Sequence, residues 1–379
     1  MNNTAKKDFT PDSYHPKSPR LIELVEDSQT SPSAPPPAQV KTKQGVTFID
    51  GIPALKWGQW KDCTYAGCVT VLLQAMGYDI SYEEVMGLSG AAFRLIMRDD
   101  WDPSSEMPQN GLSCEENASL ALGIAVQSLP ASPELNERAK QSICKGIPVL
   151  TVGQRGAPEW CLTCGYGQKD GADLFFGRTY FDCFQEAKKE EFYTENEYLY
   201  ADNFPGWFPE SLTRFYDTPC EPIAPLAALK VSLETCIKMF EQPPSTYHKY
   251  GYDAYDVLIA GMLLEDEEYQ NICRNDQYHI GSLQDARRAA SLFLQEKSAL
   301  LEGENRAKLI QASEIYRQML DNLLAVAPYE KRSEVFNGSA SPAWTKQQRA
   351  QLAQSFIQNK ELEKQVRVLI SQVLENWPS

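Results

Sequence analysis

The sequence predicts an α+β fold on three observations: amphipathic helices come first, an antiparallel hairpin follows, and only helical periodicity remains beyond a Pro-punctuated stretch from Pro205 to Pro225. The chain has 379 residues, 42% of them hydrophobic and 11% aromatic. That is enough apolar material for roughly two domains. Residues 1–44 read as a disordered N-terminal tail, 45–215 as an α+β domain and 216–379 as an all-α domain.

The tail assignment rests on composition. Residues 30–39 are rich in Ser, Pro and Ala, with Pro35, Pro36 and Pro37 in a row, and such a segment cannot offset its ordering entropy by burial. Pro32 and Pro35 also have the P-x-x-P spacing, which polyproline II ligands share with bare linkers. From Val46 onward, Val46, Phe48, Ile49, Ile52 and Leu55 supply short β-prone runs. A helix over 64–76 follows, with Ala66, Val69, Leu72, Leu73 and Met76 at helical spacing and Gly77 as its C-terminal cap. Ser81 and Glu84 have the capping-box spacing for a second helix. A short helix is predicted over 116–122 and another over 133–145, where Ser132 is the N-cap, Pro133 takes the first position and Gly146 ends the run.

Residues 147–152, 160–166 and 172–180 read as three strands, the last two joined by the polar turn 167–171. Beyond Pro225 the helical segments are 226–241, 254–264, 283–301, 307–326 and 346–377. Ser282 with Asp285 and Thr345 with Gln348 mark two of the helix starts.

Charge narrows the partners. With 36 Lys and Arg against 51 Asp and Glu the chain carries a formal charge of −15, which argues against nucleic acid or an anionic membrane surface. No run approaches the roughly 18–20 apolar residues of a membrane span, and the N-terminus lacks the apolar run of a secretory signal, so a soluble, cytoplasmic protein is expected. Ten irregularly spaced cysteines suit reduced thiols better than a disulfide framework. Cys161 and Cys164 form a C-x-x-C, but residues three apart on a strand point to opposite faces, and no second ligand pair completes a tetrahedral set. No metal is expected. Phosphate-binding glycine motifs are missing as well, and no cofactor is expected.

The strongest nucleophile candidate is Cys63, in Asp62-Cys63-Thr64 immediately before the first predicted helix. A thiol there meets unsatisfied backbone N–H groups and the positive end of the helix dipole, which favour thiolate. Gln59, four residues upstream, is placed to donate to an oxyanion, with the Cys63 N–H as the second donor. The competing reading makes Cys63 a small apolar residue closing the helix start. Asp99-Asp100-Trp101-Asp102 and 202–208, with Asp202, Asn203 and Trp207, combine acids and rings in loops. They suit the wall of a pocket for a cationic or amphipathic ligand, and equally a solvated acidic loop.

Asp62-Cys63-Thr64, the apolar helix ending at Gly77, and the run from Ser81-Tyr82-Glu83-Glu84-Val85-Met86-Gly87-Leu88-Ser89-Gly90 to Arg94 together resemble a bacterial papain-like family. It is the group around the N-terminal domain of the butirosin-biosynthesis acyltransferase and the peptidase C39-like proteins. Gly156-Ala157-Pro158-Glu159-Trp160 through Gly165-Tyr166 continues the resemblance, which covers roughly 46–205. It implies a papain-like (C39-like) domain with an N-terminal helix pair and an antiparallel sheet, ahead of the all-α half.

In the C39-like pattern a catalytic His opens the strand at 160, and here Glu159 stands in its place. A carboxylate acts as a general base only if burial raises its pKa, and beside a thiolate it disfavours ionising both. Of the three histidines, His15 lies in the tail, so a Cys–His pair would draw its imidazole from His279, just before the helix start assigned to Ser282, or from His248 among Tyr247, Tyr250, Tyr252 and Tyr255. Asp182 stands where an orienting acid would follow the hairpin, and Arg94 joins the candidate ligand-binding set.

Two functions follow. One is cysteine-dependent acyl transfer or amide hydrolysis on a small amine or peptide-like substrate, with Cys63, Gln59, Glu159 and His279 as candidate catalytic residues. The alternative is a non-catalytic binding protein on the same scaffold, holding a small-molecule or peptide ligand with Trp101, Asp102, Arg94, Asp182, Asp202, Asn203 and Trp207. A third reading, a scaffold pairing through its C-terminal helices, rests on the charged segment 346–375 alone.

Overall fold

A computed structural model describes residues 36–55, 57–103, 111–129, 132–154, 159–180, 192–193, 198–200, 213–219, 223–273, 275–329 and 344–378. The fold is mixed α+β, an antiparallel sheet with helices against it and a helical C-terminal region. The expectations for Asp182, Asp202, Asn203 and Trp207 fall outside the described residues.

The sheet begins with a hairpin of β1 (Val40–Lys43) and β2 (Val46–Ile49), so pairing starts inside the segment whose composition reads as tail. β2 docks through Thr47 and Phe48 on β6 (Trp160–Lys169), which forms a hairpin with β7 (Ala172–Thr179). That turn is tighter than the five-residue loop the sequence suggests. Asp170 and Gly171, at φ 54° and 81°, make a two-residue connection, because two positive-φ residues match the right-handed twist of the flanking strands.

β3 (Ile96–Met97) pairs with Lys249–Tyr250 in a separate two-stranded sheet. β5 (Val149–Val152) pairs with the first half of β6. β10 (Thr213–Pro219) bonds to both β5 and β4 (Ile124–Leu129), while β9 (Tyr198–Tyr200) and β8 (Phe192–Tyr193) extend the opposite edge. β10 lies within the stretch whose prolines read as a boundary, yet its Thr213, Phe215 and Tyr216 are buried. Its apolar run is too short to stand out from the prolines around it, and tertiary pairing decides its state.

β6 is buried at every position from Trp160 to Gly165, which requires cover on both faces. Both α1 (Thr64–Ala75) and α4 (Pro133–Cys144) pack against it. α1 is buried almost all round, with Ala66, Val69, Leu72 and Leu73 fully so, each leucine contributing about 1.5–3 kcal/mol of burial. Gly67 on α1 admits Tyr180, since a Cβ there would lie 1.8 Å from the tyrosine oxygen.

Ser81, Ser113 and Ser132 cap α2 (Tyr82–Ser89), α3 (Cys114–Leu122) and α4. The box expected at Ser81 is only half made. Ser81 Oγ accepts the Glu84 N–H, but the Glu84 carboxylate turns to Lys297 Nζ at 2.6 Å.

The C-terminal helices are α5 (Pro225–Glu241), α6 (Gly251–Met262), α7 (Asp266–Ile272), α8 (Asp276–Lys297), α9 (Gly303–Leu324) and α10 (Lys346–Glu375). α7 has no counterpart in the sequence reading, and α8 starts well before the expected Ser282. Ser282 and Asp285 are therefore interior residues of α8, and its Asp285 is fully buried. Gly87 lets α2 approach α8, because a Cβ there would lie 2.2 Å from the Phe293 ring. At the same junction the buried Arg287 guanidinium donates to Glu363 Oε2 at 2.7 Å and to the Ala92 carbonyl at 3.0 Å. Tyr255 OH donates to the same carboxylate oxygen, so the contacts concentrate on Oε2 while Glu363 Oε1 and Arg287 Nε are left without hydrogen bonds. Buried side chains form one connected apolar cluster from Phe48 in β2 to Val373 in α10. No described helix is long and apolar enough to cross a membrane.

Candidate functional site

Cys63 is the N-cap of α1, in extended geometry and without a side-chain cap. The loop leading to it is bent sharply, with Gly58 at φ 71° and Trp60 at φ 58°. A bulky residue in that region carries strain of about 1–3 kcal/mol and persists only where its surroundings hold it. Here Tyr329 does the holding. Its ring stacks on Trp60 at 3.7 Å between centroids, and its hydroxyl accepts the Trp60 N–H at 2.8 Å and donates to Asp62 Oδ2 at 2.5 Å. The Arg288 guanidinium lies 5.5 Å from the Trp60 ring and pairs with Glu83 at 2.7 Å. Tyr180 OH donates to the Lys61 carbonyl at 2.9 Å.

Under this loop runs a buried relay. The Cys63 N–H donates to Tyr82 OH at 3.0 Å, Tyr82 OH donates to Asp285 Oδ2 at 2.6 Å, and the Asp62 N–H donates to the same oxygen at 3.0 Å. Asp62 Oδ1 accepts the Gly58 N–H at 2.8 Å. Asp285 is 0% exposed and its Oδ1 makes no hydrogen bond. Burial, reinforced by the Asp62 charge, pushes the Asp285 carboxyl up to about 7.

This geometry corrects two expectations. Burial pushes the Cys63 thiol up to about 12, against the opposing pull of Arg94 and the Ala66 N–H. Desolvation thus outweighs the helix terminus and favours the neutral thiol, although the Cys63 residue itself is only half-buried. The Cys63 N–H is also already committed to Tyr82, so it is not an oxyanion donor, and Gln59 is exposed on the loop before it.

Glu159, at the start of β6, does come to the head of α1, where its Oε2 accepts from Thr64 Oγ1 at 2.8 Å. Arg94 is half-buried and acts on the Cys63 thiol from the segment after α2. His279 belongs to the first turns of α8 rather than preceding a helix. It is 3% exposed, its Nε2 lies 3.1 Å from the Trp101 carbonyl, and it sits six residues, about 9 Å of helix rise, before Asp285.

Trp101 is itself a core residue at 1% exposure, packed so closely on α6 that a Cβ at Gly261 would lie 2.5 Å from its ring. Its loop nonetheless borders a cleft of about 460 Å³ beside α6. Asp99, Asp253, Asp256 and Lys249 line it together with apolar Val257 and Leu264. Asp256 pairs with Lys360 at 2.6 Å. Asp102, half-buried, follows on the same loop, and its N–H donates to Asp100 Oδ1 at 3.3 Å.

The C-x-x-C also departs from expectation. A bulge between Thr163 and Gly165 resets the strand alternation, and Cys161 and Cys164 both stand close enough to Cys68 on α1 to raise its thiol. Among the described residues no group of three His, Cys, Asp or Glu side chains is arranged to hold a metal ion.

Sequence reasoning missed Asp285, Tyr82 and Tyr329. The one available signal was an acid in a small-residue stretch of helix, Asp285 one turn from Gly281, Ser282 and Ala289. The spacing from Ser282 disguised it as a cap. Neither a protein-family model nor a curated protein matches the chain.

Proposed function

We propose that the protein is a non-catalytic binding protein on a papain-like scaffold whose catalytic His position is Glu159, and that its ligand is a small amine or peptide-like cation with an apolar body. The observation that carries this reading is the Cys63 N–H, already bonded to Tyr82 OH at 3.0 Å, beside a thiol that burial pushes up rather than down. Acyl transfer, the other reading of the sequence, needs a thiolate, a base and an oxyanion donor, and finds no support in that arrangement. The ligand class follows from the cleft beside α6, where Asp99, Asp253 and Asp256 outnumber the one lining cation, Lys249, beside apolar Val257 and Leu264. Such a lining favours an ammonium group carrying a hydrocarbon segment.

The test combines two measurements. Hexylamine should raise the thermal midpoint where hexanol does not, since a ligand of the folded state stabilises by RT ln(1 + [L]/Kd). Asp253→Asn should weaken the effect several-fold. In parallel, iodoacetamide at neutral pH should alkylate the exposed Cys144 and spare Cys63. Rapid acylation of Cys63 by a thioester would overturn the proposal in favour of the enzyme.

A further inference from the structure

The relay beneath Cys63 uses a carboxylic acid where an amide or a hydroxyl would satisfy the same two donors. Asp285 Oδ2 takes the hydrogen bonds from Asp62 N–H and Tyr82 OH, and Oδ1 is left with none in a site of 0% exposure. An ionised carboxylate leaves Oδ1 without a donor, a neutral one leaves an Oδ1 proton without an acceptor, and the two donors at Oδ2 favour the charged form, so hydrogen bonding alone does not select the neutral acid. Full burial does, because an uncharged carboxyl costs far less to desolvate than a carboxylate.

The groups around it reinforce this. Asp62 faces it from the loop, Cys63 from the head of α1, Tyr82 from α2, Tyr180 from the end of β7, Arg288 from α8 itself, and Tyr329 from the segment after α9. Arg288 is the one cation among them, and it is shared with Glu83 and the Trp60 ring. Asp62 is 2% exposed, so ionising Asp285 places a second carboxylate against the first in a poorly solvated space. The element best able to yield is the loop 58–62, which already stores strain at Trp60.

We propose that Asp285 is a positioning residue for the Cys63 loop: its neutral carboxyl clamps residues 58–63 on α2 and α8, and loss of its proton repels Asp62 and loosens the loop, uncovering Cys63. The step is a proton exchange with solvent and needs no other reactant. The direction of the Asp285 titration, up to about 7, puts the transition within the physiological range. This inference does not depend on the amine cleft, which uses none of these residues.

Amide hydrogen exchange on the full chain tests it, because the Asp62 and Cys63 N–H groups are the bonded donors. Protection of a peptide spanning 58–64, corrected for the intrinsic pH dependence of exchange, should fall at least about tenfold between about pH 6 and pH 8. Asp285→Asn should remove that dependence. Tyr82→Phe should lower Cys63 protection at every pH while the transition remains, whereas loss of the transition in Tyr82→Phe would assign it to the tyrosine and overturn the proposal. Unchanged protection in the wild type, or the same fall in Asp285→Asn, would also overturn it. Should Asp285→Asn fail to fold, infrared titration of the wild type decides: a buried protonated-carboxyl band disappearing near neutrality is expected, and no such band refutes the idea.

Discussion

At the start of α10, Thr345 Oγ1 accepts the Gln348 N–H at 3.2 Å and Gln348 Oε1 accepts the Thr345 N–H at 3.0 Å. At the start of α1, Cys63 caps nothing with its side chain, and its N–H is satisfied by Tyr82, itself held by Asp285 from α8. The same unsatisfied backbone donors are thus met once by neighbours in sequence and once by residues far along the chain. The first solution leaves Thr345 and its cap exposed to solvent. The second buries polar groups, links the head of α1 to the C-terminal helices, and makes the Cys63 loop sensitive to a single proton.

Three perturbations separate the two solutions. The largest effect is expected for Asp285→Ala, which strands two buried donors and should cost about 2–5 kcal/mol in urea unfolding at about pH 5. The second is pH itself. Because the folded pKa of Asp285 is raised, its favourable contribution is complete below the ordinary carboxylate pKa and is lost as pH rises through about 7. Wild-type stability should therefore decline between about pH 5 and pH 8 by about 2–4 kcal/mol, and Asp285→Asn should flatten the curve. The smallest is Thr345→Ala, expected to cost about 1 kcal/mol with no dependence on pH in that range. A Thr345→Ala loss as large as that of Asp285→Ala would erase the distinction between local and tertiary capping.

Much of the architecture was legible because it is written in local chemistry. Ser132 and Pro133 announce α4, and the spacing of Val69, Leu72 and Leu73 announces α1. Where the reading failed, long-range contacts override local pattern. The short apolar run of β10 among prolines gains strand geometry only from β4 and β5, and the Ser282 spacing to Asp285 imitates a cap because the same residue types serve a buried network. The site shows the same division. Cys63 at a helix entry, with Glu159 nearby, could be anticipated. That burial pushes the thiol up could not, since the helix terminus and burial act in opposite directions and only packing fixes their ratio.

The sequence alone determined an acidic α+β chain and the position of Cys63 at the head of the first helix, both properties of residue identity and short-range spacing. Tertiary structure decided the rest: which carboxylates are buried, which backbone donors are taken, and how far each pKa moves. Those depend on the dielectric and the hydrogen-bond partners that distant segments bring, and Asp285 meets Asp62 across 223 positions of chain.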